Sequence, residues 1–310
     1  MSAVIKPVPT TGSAGGGVPE VERRSGLDPR EFIENYLRPR RPVILTDAAA
    51  TWPACNRHTP DYFRRHHGDK RLKIAEREWR LNELIAALEA STPDQPGPYP
   101  CKFAVVQDFP ELLPDVSPRF AFSLPDRQDS ALLPDRVFNG VNNLEIFFGG
   151  PGGRFPYLHY DVLHLHAWIT QLYGRKSFTL FPPDQKRLLY INPDKPWQSS
   201  IENHQQPDYG RYPLFEQAVS RSVVIEPGET LFLPCGWWHT ARSLEMTISV
   251  AFDQLESGNW SDFKRDFATE HRHGRPTAIT AVRAWLAVVG PFLSLIEALG
   301  SGRDPRWKTR

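Results

Sequence analysis

Short β-strand signals dominate the middle of the chain, and they limit its possible folds more than any other feature. Between residues 138 and 253, runs of β-branched and aromatic residues alternate with turns rich in proline and glycine. The clearest runs are residues 144–148, 177–181, 222–225, 230–233 and 247–250. Many short strands separated by such turns are typical of a sandwich or a barrel. We therefore predict a mainly β core for this region.

Helical signals flank the β region on both sides. Asp28 before Pro29 predicts a capped helix to about Leu37, Thr59 opens a second helix, and residues 81–88 form a third. Strands are predicted at 42–45 and 103–106, and helices at 260–271 and 277–299. Residues 1–25, rich in Gly, Ser, Pro and charge, are predicted to be disordered. The chain thus divides into a disordered lead-in (1–25), a domain with helices before a β core (26–259) and a C-terminal helical segment (260–310).

Composition narrows the functional classes. The net charge of +1 over 310 residues gives no electrostatic reason to expect a nucleic-acid partner, although a local RNA-binding patch stays open. Three scattered cysteines are a poor disulfide framework and favour a cytoplasmic protein. The first residues lack the apolar core of a signal peptide, and the apolar stretch 284–296 is too short to span a bilayer. We expect a cytoplasmic protein without a membrane partner.

The stretch 158–161, Leu-His-Tyr-Asp, contains the most informative polar pair. Side chains alternate along a strand, so His159 and Asp161 would point to the same side if this is a strand end. His239, which follows the predicted strand 230–233 and a turn, is the best third partner. Two histidines and one carboxylate leave metal positions open, as in non-haem Fe(II) oxygenases. Each histidine alone could equally be a packed core residue.

The order of five motifs in this region resembles the JmjC/cupin-like family of Fe(II)- and 2-oxoglutarate-dependent oxygenases. The motifs are HYD (159–161), GRK (174–176), FPP (181–183), PGE (227–229) and WWH (237–239). The likeness extends over about residues 27–255 and is greatest to small hydroxylases, among them the asparaginyl hydroxylase of hypoxia-inducible factor and the tRNA wybutosine hydroxylase. It implies a double-stranded β-helix, or jelly-roll, core with flanking helices.

The resemblance also implies roles for individual residues. His159, Asp161 and His239 would be the catalytic Fe(II) ligands, and Lys176 would bind the distal carboxylate of the co-substrate 2-oxoglutarate. An ammonium on a flexible stem suits a carboxylate deep in a barrel. The alternative for Lys176 is a solvent-exposed strand lysine, and Arg175 should point to the opposite face.

Several positions depart from the family pattern. The segment from Asp161 to Lys176 is about two residues longer than in close comparators and offers His164 and His166 where the family often has asparagine. In a regular strand both would face away from the metal side, although a bulge could turn either inward. The family often has Thr or Ser at the place of Pro156, and Asn and Trp at the places of Ala251 and Asp253. The metal site therefore looks intact, while the 2-oxoglutarate pocket is altered.

Three functional hypotheses follow. The first is an Fe(II)/2-oxoglutarate-dependent hydroxylase that uses O₂ and acts on a protein side chain or a small molecule. The second is a metal-binding cupin whose chemistry needs no 2-oxoglutarate, which the altered pocket keeps open. The third is a non-catalytic binding protein with the same fold. The sequence does not identify the substrate.

The C-terminal segment is expected to form a homodimer. Its apolar residues between 285 and 296 cover more than one face of a helix, so one face could pack on the barrel while another stays uncovered. Gly290-Pro291 should break or kink the segment into two short helices. The alternative is that these residues only close the end of the barrel within one subunit. Leu293→Glu is the substitution expected to give a monomer.

Overall fold

A computed structural model describes residues 18, 20–133, 144–270, 276–300 and 306–307 of the chain. Within these ranges two β-sheets face each other. The larger sheet has seven strands in the order β1-β2-β10-β7-β12-β6-β5, and the smaller has the order β11-β8-β9. A separate hairpin pairs β3 with β4. The strands are β1 (Glu22–Arg24), β2 (Val43–Leu45), β3 (Arg71–Ile74), β4 (Arg77–Arg80), β5 (Cys101–Ala104), β6 (Glu145–Gly149), β7 (His166–Tyr173), β8 (Lys176–Phe181), β9 (Arg221–Ile225), β10 (Thr230–Leu233), β11 (Trp238–Ser243) and β12 (Thr247–Gln254).

Each face of the large sheet packs against a different layer, which explains why its strands are apolar on both sides. One face meets the small sheet, with Ile169 and Leu231 packing near Phe178. The other face is covered by the N-terminal helices, where Phe32 packs edge-on against Phe232 with ring centroids 5.0 Å apart. This is the jelly-roll core with flanking helices that the sequence predicted.

Three helices before the barrel begin where the sequence places them: α1 (Pro29–Phe32, continued by a wider turn over Ile33–Leu37), α3 (Pro60–His67) and α4 (Leu81–Glu89). Two further short helices, α2 (Ala54–Arg57) and α5 (Val105–Asp108), were not predicted. Asp28 and Thr59 cap α1 and α3 by accepting hydrogen bonds from Arg30 and Tyr62 backbone N–H groups. The capping signals were therefore read correctly.

Two N-terminal predictions need correction. The predicted disordered lead-in, residues 1–25, is too long, because β1 pairs in parallel with β2 and both Val18 and Val21 are buried. Apolar burial and backbone pairing compensate the entropy of ordering these residues. The predicted strand at 103–106 ends at Ala104, where the Asp108 carboxylate accepts from the Ala104 N–H (3.2 Å) and α5 begins. Residues 1–17 and 19 lie outside the described residues.

Two helices follow the barrel, α6 (Trp260–Glu270) and α7 (Pro276–Ala298). The predicted break at Gly290-Pro291 is wrong, because α7 continues through both residues. Gly290 instead permits close helix packing, since a Cβ there would lie 2.5 Å from Nε1 of Trp260. Arg127 ties α7 to the barrel by donating to both Glu297 carboxylate oxygens at 2.8 Å and to Ser294.

The two faces of α7 differ in their surroundings. Leu286, Val289 and Leu293 are buried against α6 and the segment after Asp161. The opposite face exposes Trp285, Val288, Phe292 and Leu295, each by 45–59%. By length and composition alone, α7 is the one helix in the described ranges that could cross a membrane, and 22% of its most apolar window is buried. The sequence estimate for 284–296 was too short because it stopped at the charged residues Arg283 and Glu297, whereas α7 includes both.

Candidate active site

A cavity of about 390 Å³ lies between the two sheets. Strand register accounts for its lining, because successive residues of a strand alternate between faces. The pairings Ala251–Glu145, Ala251–Ile169 and Asp253–Ala167 place these side chains on the inner face of the large sheet. The small sheet contributes Lys176, Phe178, His239 and Ala241, and the remaining polar and aromatic lining residues include Lys102, Phe155, Tyr157, His159, Asp161 and Trp197.

His159, Asp161 and His239 converge at one side of this cavity. One potential ligand atom from each lies within 4.8 Å of the other two. The backbones of His159 and His239 pair through two hydrogen bonds of 3.0 and 2.6 Å, which brings residues 80 positions apart side by side. Nε2 of His239 lies 3.9 Å from Oδ1 of Asp161. The structure thus brings together all three side chains that the sequence singled out.

The hydrogen bonding of His239 orients its ring for a metal. Nδ1 of His239 lies 3.1 Å from the Trp237 carbonyl, which can only accept, so Nδ1 donates to it and Nε2 is the nitrogen that faces the cluster. Burial, and next the neighbouring His239, hold the pKa of His159 well below its usual range. Its Nδ1 is buried with no hydrogen-bond partner in the described chain. Two imidazoles beside a carboxylate fit a divalent transition metal with open positions.

Lys176 lies at the start of β8, with its side chain buried in the cavity between the sheets. Nζ donates to Oγ of Ser249 on the facing sheet (3.1 Å), and aromatic rings surround it, with that of Phe147 centred 5.1 Å away. Burial lowers the pKa of this ammonium to about 7. Among the described residues no carboxylate lies within 4.0 Å of Nζ. A buried cation without an anionic partner is costly, so this position fits an anionic ligand. Arg175 points outward to Glu245, as expected.

Tyr99 is a polar residue near Lys176 that the sequence analysis did not identify. Its ring centroid lies 5.7 Å from Nζ of Lys176, and its buried hydroxyl has no hydrogen-bond partner in the described chain. Burial raises the pKa of this phenol, so it stays a donor at neutral pH. Pro156, which departs from the family pattern, is exposed and does not line the cavity, whereas its neighbours Phe155 and Tyr157 do.

Three further charged residues line the cavity. The sequence analysis did not identify Lys102 and Glu145, and it noted Asp253 only as a departure from the family pattern. Lys102 pairs with Glu145 at 2.8 Å, and Asp253 lines the same space. Burial, and next the negative charge of Asp161, raise the pKa of Asp253 well above its usual range. Burial likewise raises the pKa of Glu145, opposed by Lys102. Only the pairing of β5, β6 and β12 reveals that these side chains share one face.

His164 and His166 do not join the metal site, as the sequence analysis favoured. The extra residues after Asp161 form a left-handed turn, with φ of 63° at Leu163 and 51° at His164. His164 pairs with Asp266 of α6 at 2.6 Å. His166 accepts from the Cys235 N–H at 3.0 Å. His164 therefore links the turn to α6, and His166 links β7 to the turn between β10 and β11.

Comparison with known proteins gives relatives that contain the same domain. The chain is 25% identical over 238 residues to "Lysine-specific demethylase 8" of Xenopus tropicalis, which covers 71% of this chain and 49% of the relative. It is 24% identical over 286 residues to "Arginine-specific demethylase JMJ20" of Arabidopsis thaliana, covering 79% and 61%. It is 26% identical over 253 residues to "tRNA wybutosine-synthesizing protein 5" of Mus musculus, covering 74% and 76%. The chain thus spans about half to three fifths of the two demethylases.

The family comparison covers most of the barrel. A model described as "Cupin-like domain" matches residues 29–253, which include all three convergent side chains and Lys176. The JmjC-like members of this family depend on Fe(II) and 2-oxoglutarate and include demethylases and a hydroxylase. The chain belongs to the cupin-like, JmjC-related family of Fe(II)- and 2-oxoglutarate-dependent oxygenases.

Proposed function

We propose that this chain is a hydroxylase that inserts oxygen into a C–H bond of a protein side chain or a small molecule. The observation that carries the proposal is the placement of the His159–Asp161–His239 cluster and of Lys176, which has no carboxylate partner among the described residues, in one cavity. When bound, Fe(II) with 2-oxoglutarate and O₂ supplies the oxidation, and succinate and CO₂ are the coproducts.

The residues of the chain would divide the work between the two sides of the cavity. His159, Asp161 and His239 would hold Fe(II) and leave adjoining positions open. Lys176 would form a charge-assisted hydrogen bond with the distal carboxylate of 2-oxoglutarate, and this anion would compensate the buried ammonium. The apolar walls around Lys176 exclude water and so strengthen this ion pair.

Tyr99 is proposed to supply a second donor to the same carboxylate. The family pattern places Thr or Ser at the position of Pro156, which has no donor, whereas the Tyr99 hydroxyl is buried and free of partners in the described chain. Tyr99→Phe should weaken 2-oxoglutarate binding and leave Fe(II) binding unchanged. A binding constant equal to that of the unaltered chain would remove Tyr99 from this role.

Demethylation is the second candidate, because two relatives are named lysine- and arginine-specific demethylases. Hydroxylation of an N-methyl carbon gives an unstable product that releases formaldehyde, so the same site could support either outcome. Incubation with methylated and unmethylated peptides separates them. A stable product heavier by one oxygen supports hydroxylation, and formaldehyde release supports demethylation.

Succinate formation tests the proposal against the remaining alternatives. We expect the chain to convert 2-oxoglutarate to succinate slowly without substrate, and only with Fe(II) and O₂. Asp161→Ala is the matched inactive variant. Bound Fe(II) without succinate formation would favour a cupin with chemistry independent of 2-oxoglutarate. Absence of both would favour a non-catalytic binding protein.

A further inference from the structure

The turn that follows Asp161 has an unusual backbone. Leu163 and His164 have φ of 63° and 51°, and they are the only two consecutive non-glycine residues with positive φ in the described ranges. L-residues rarely adopt this conformation, and it persists only where the contacts around it enforce it. The backbone N–H of His164 donates to the Asp161 carbonyl at 3.1 Å. The contacts that enforce the turn therefore also fix the backbone of this residue of the metal cluster.

The Asp161 carboxylate depends on that backbone for its orientation. Within the part of the chain that the structure describes, no donor forms a hydrogen bond to it. The one basic nitrogen found within 4.0 Å there is Nε2 of His239, which itself belongs to the cluster. Carboxylates that bind a metal are usually oriented by a hydrogen bond from a neighbouring group. Here the residues before and after Asp161 provide the orientation instead.

Helix α6 supplies the contacts that enforce the turn. Nδ1 of His164 lies 2.6 Å from Oδ2 of Asp266, and Nδ2 of Asn259, just before α6, donates to the His164 carbonyl at 3.0 Å. The Leu163 side chain is buried in one cluster with apolar residues of α6. Because α6 follows the region that the family model matches, this support is separate from the matched domain.

Asp266 also holds the residue before Asp161. Tyr160 lies between His159 and Asp161 in the chain, and its side chain is buried outside the cavity. Its hydroxyl forms a hydrogen bond with Asp266, and its ring packs on the imidazole of His164 with centroids 4.5 Å apart. One largely buried carboxylate thus contacts both the residue before Asp161 and the turn after it.

We propose that Asp266 is a positioning residue for the metal site, because it fixes the backbone on both sides of Asp161 and so directs that carboxylate toward the two histidines of the cluster. The inference rests on the proposed function for the ligand role of Asp161. Asp266 does not contact the metal and acts through Tyr160 and His164. Without this carboxylate the strained turn relaxes, and Asp161 no longer converges with the histidines.

The Fe(II) affinity of the full chain, measured anaerobically by competition with a coloured Fe(II) chelator, tests the proposal. Asp266→Ala should weaken Fe(II) binding by about 10- to 100-fold, the usual effect of losing a group that orients a metal ligand. Asp266→Asn keeps an acceptor oxygen for the Tyr160 hydroxyl and should lose less. Tyr160→Phe should give a smaller loss, which adds little to that of Asp266→Ala because both changes remove the same contact.

Asp262→Ala is the matched control on the same helix. Asp262 joins α6 to Arg40 at 2.7 Å and, among the described residues, forms no hydrogen bond with the turn. Any loss of stability in this variant should leave Fe(II) binding unchanged. Equal Fe(II) affinity in Asp266→Ala and the unaltered chain, or an equal loss in Asp262→Ala, would overturn the proposal. If Asp266→Ala does not fold, Tyr160→Phe decides, and unchanged Fe(II) affinity in that variant would overturn the proposal too.

Succinate formation without substrate, measured on the same preparations, separates this inference from the proposed function. Succinate formation together with undiminished Fe(II) affinity in Asp266→Ala would defeat the inference and leave the hydroxylase proposal intact. Weakened Fe(II) binding in Asp266→Ala, without succinate formation by the unaltered chain, would support the positioning role and defeat the hydroxylase proposal.

Discussion

The cavity and helix α7 present opposite kinds of incomplete contact. In the cavity, Nδ1 of His159 is buried without a hydrogen-bond partner in the described chain, and the Lys176 ammonium is buried with Ser249 as a neutral partner but no carboxylate within 4.0 Å. On α7, large apolar side chains such as Phe292 and Val288 are exposed without cover. Buried polar groups and exposed apolar patches are the informative exceptions to ordinary folding. The buried polar groups of the cavity are suited to small charged ligands, and the exposed apolar face of α7 is suited to a broad apolar partner surface.

The largest expected effect concerns the triad. Replacing His159, Asp161 or His239 with Ala should each abolish stoichiometric Fe(II) binding, because each change removes one of the three ligand atoms that converge at the site. The fold should persist, since these side chains face the cavity. Anaerobic metal analysis after desalting measures the stoichiometry, with Arg175→Ala as a control outside the cluster. A triad variant that retains Fe(II) as tightly as the unaltered chain would disprove the ligand assignment.

Lys176 should give the next largest effect. Lys176→Ala should keep Fe(II) but weaken 2-oxoglutarate binding by about 30- to 1,000-fold, which corresponds to roughly 2–4 kcal/mol for an unpaired buried carboxylate. Titration of the Fe(II)-loaded protein with 2-oxoglutarate measures it. Arg175→Ala is the matched control, because its side chain points outward to Glu245. Unchanged affinity in Lys176→Ala would assign the carboxylate to another group.

The third prediction concerns the exposed apolar face of α7. We predict that it forms a homodimer, and that Phe292→Glu gives a monomer near 35.4 kDa by light scattering. Leu293, the substitution suggested by the sequence, is buried in the subunit's own core, so Leu293→Glu should destabilise the fold instead. Val219→Glu changes an exposed apolar residue elsewhere and should leave the dimer intact.

Two results would contradict the dimer prediction. A monomer for the unaltered chain at micromolar concentration would contradict it. If that monomer also floats with phospholipid vesicles and the Phe292→Glu variant does not, the helix binds a membrane surface instead.

A proton-linked effect is the smallest prediction. Burial lowers the pKa of Lys176 to about 7, and an adjacent anion would raise it again. Above pH 7 the free protein must therefore take up a proton as 2-oxoglutarate binds, and affinity should fall by up to about tenfold per pH unit. Calorimetry at pH 8 in two buffers of different ionisation enthalpy measures this uptake. Equal heats in both buffers would contradict the linkage, and Lys176→Met should abolish it.

Local sequence signals predicted the metal cluster better than the charged residues on the facing wall of the cavity. The triad was predictable because the order of the HYD, GRK, FPP, PGE and WWH motifs resembles that of the family. The expected strand end at HYD is not formed, since His159 lies in an isolated bridge to His239. The shared location of Lys102, Glu145 and Asp253 was not predictable, because it depends on the register between strands that are far apart in sequence.

The C-terminal segment shows the reverse problem. Gly290-Pro291 is a strong local signal for a break, yet α7 is continuous through both residues. Close contact with Trp260 accounts for the glycine, because a Cβ at that point would collide with the indole. The two-faced apolar pattern was predicted correctly, but which face is buried depends on α6. The continuity of α7 and the identity of its buried face therefore depend on tertiary packing, which local sequence signals do not report.

The most direct test of the account is visible absorption of the Fe(II)-loaded protein under anaerobic conditions as 2-oxoglutarate is added. The account predicts a new charge-transfer band only when Fe(II) and 2-oxoglutarate are both present. The band should be absent in Asp161→Ala and should require more 2-oxoglutarate in Lys176→Ala. No band in the unaltered chain with bound Fe(II), or a band that Lys176→Ala leaves unchanged, would contradict the claim that one cavity holds both.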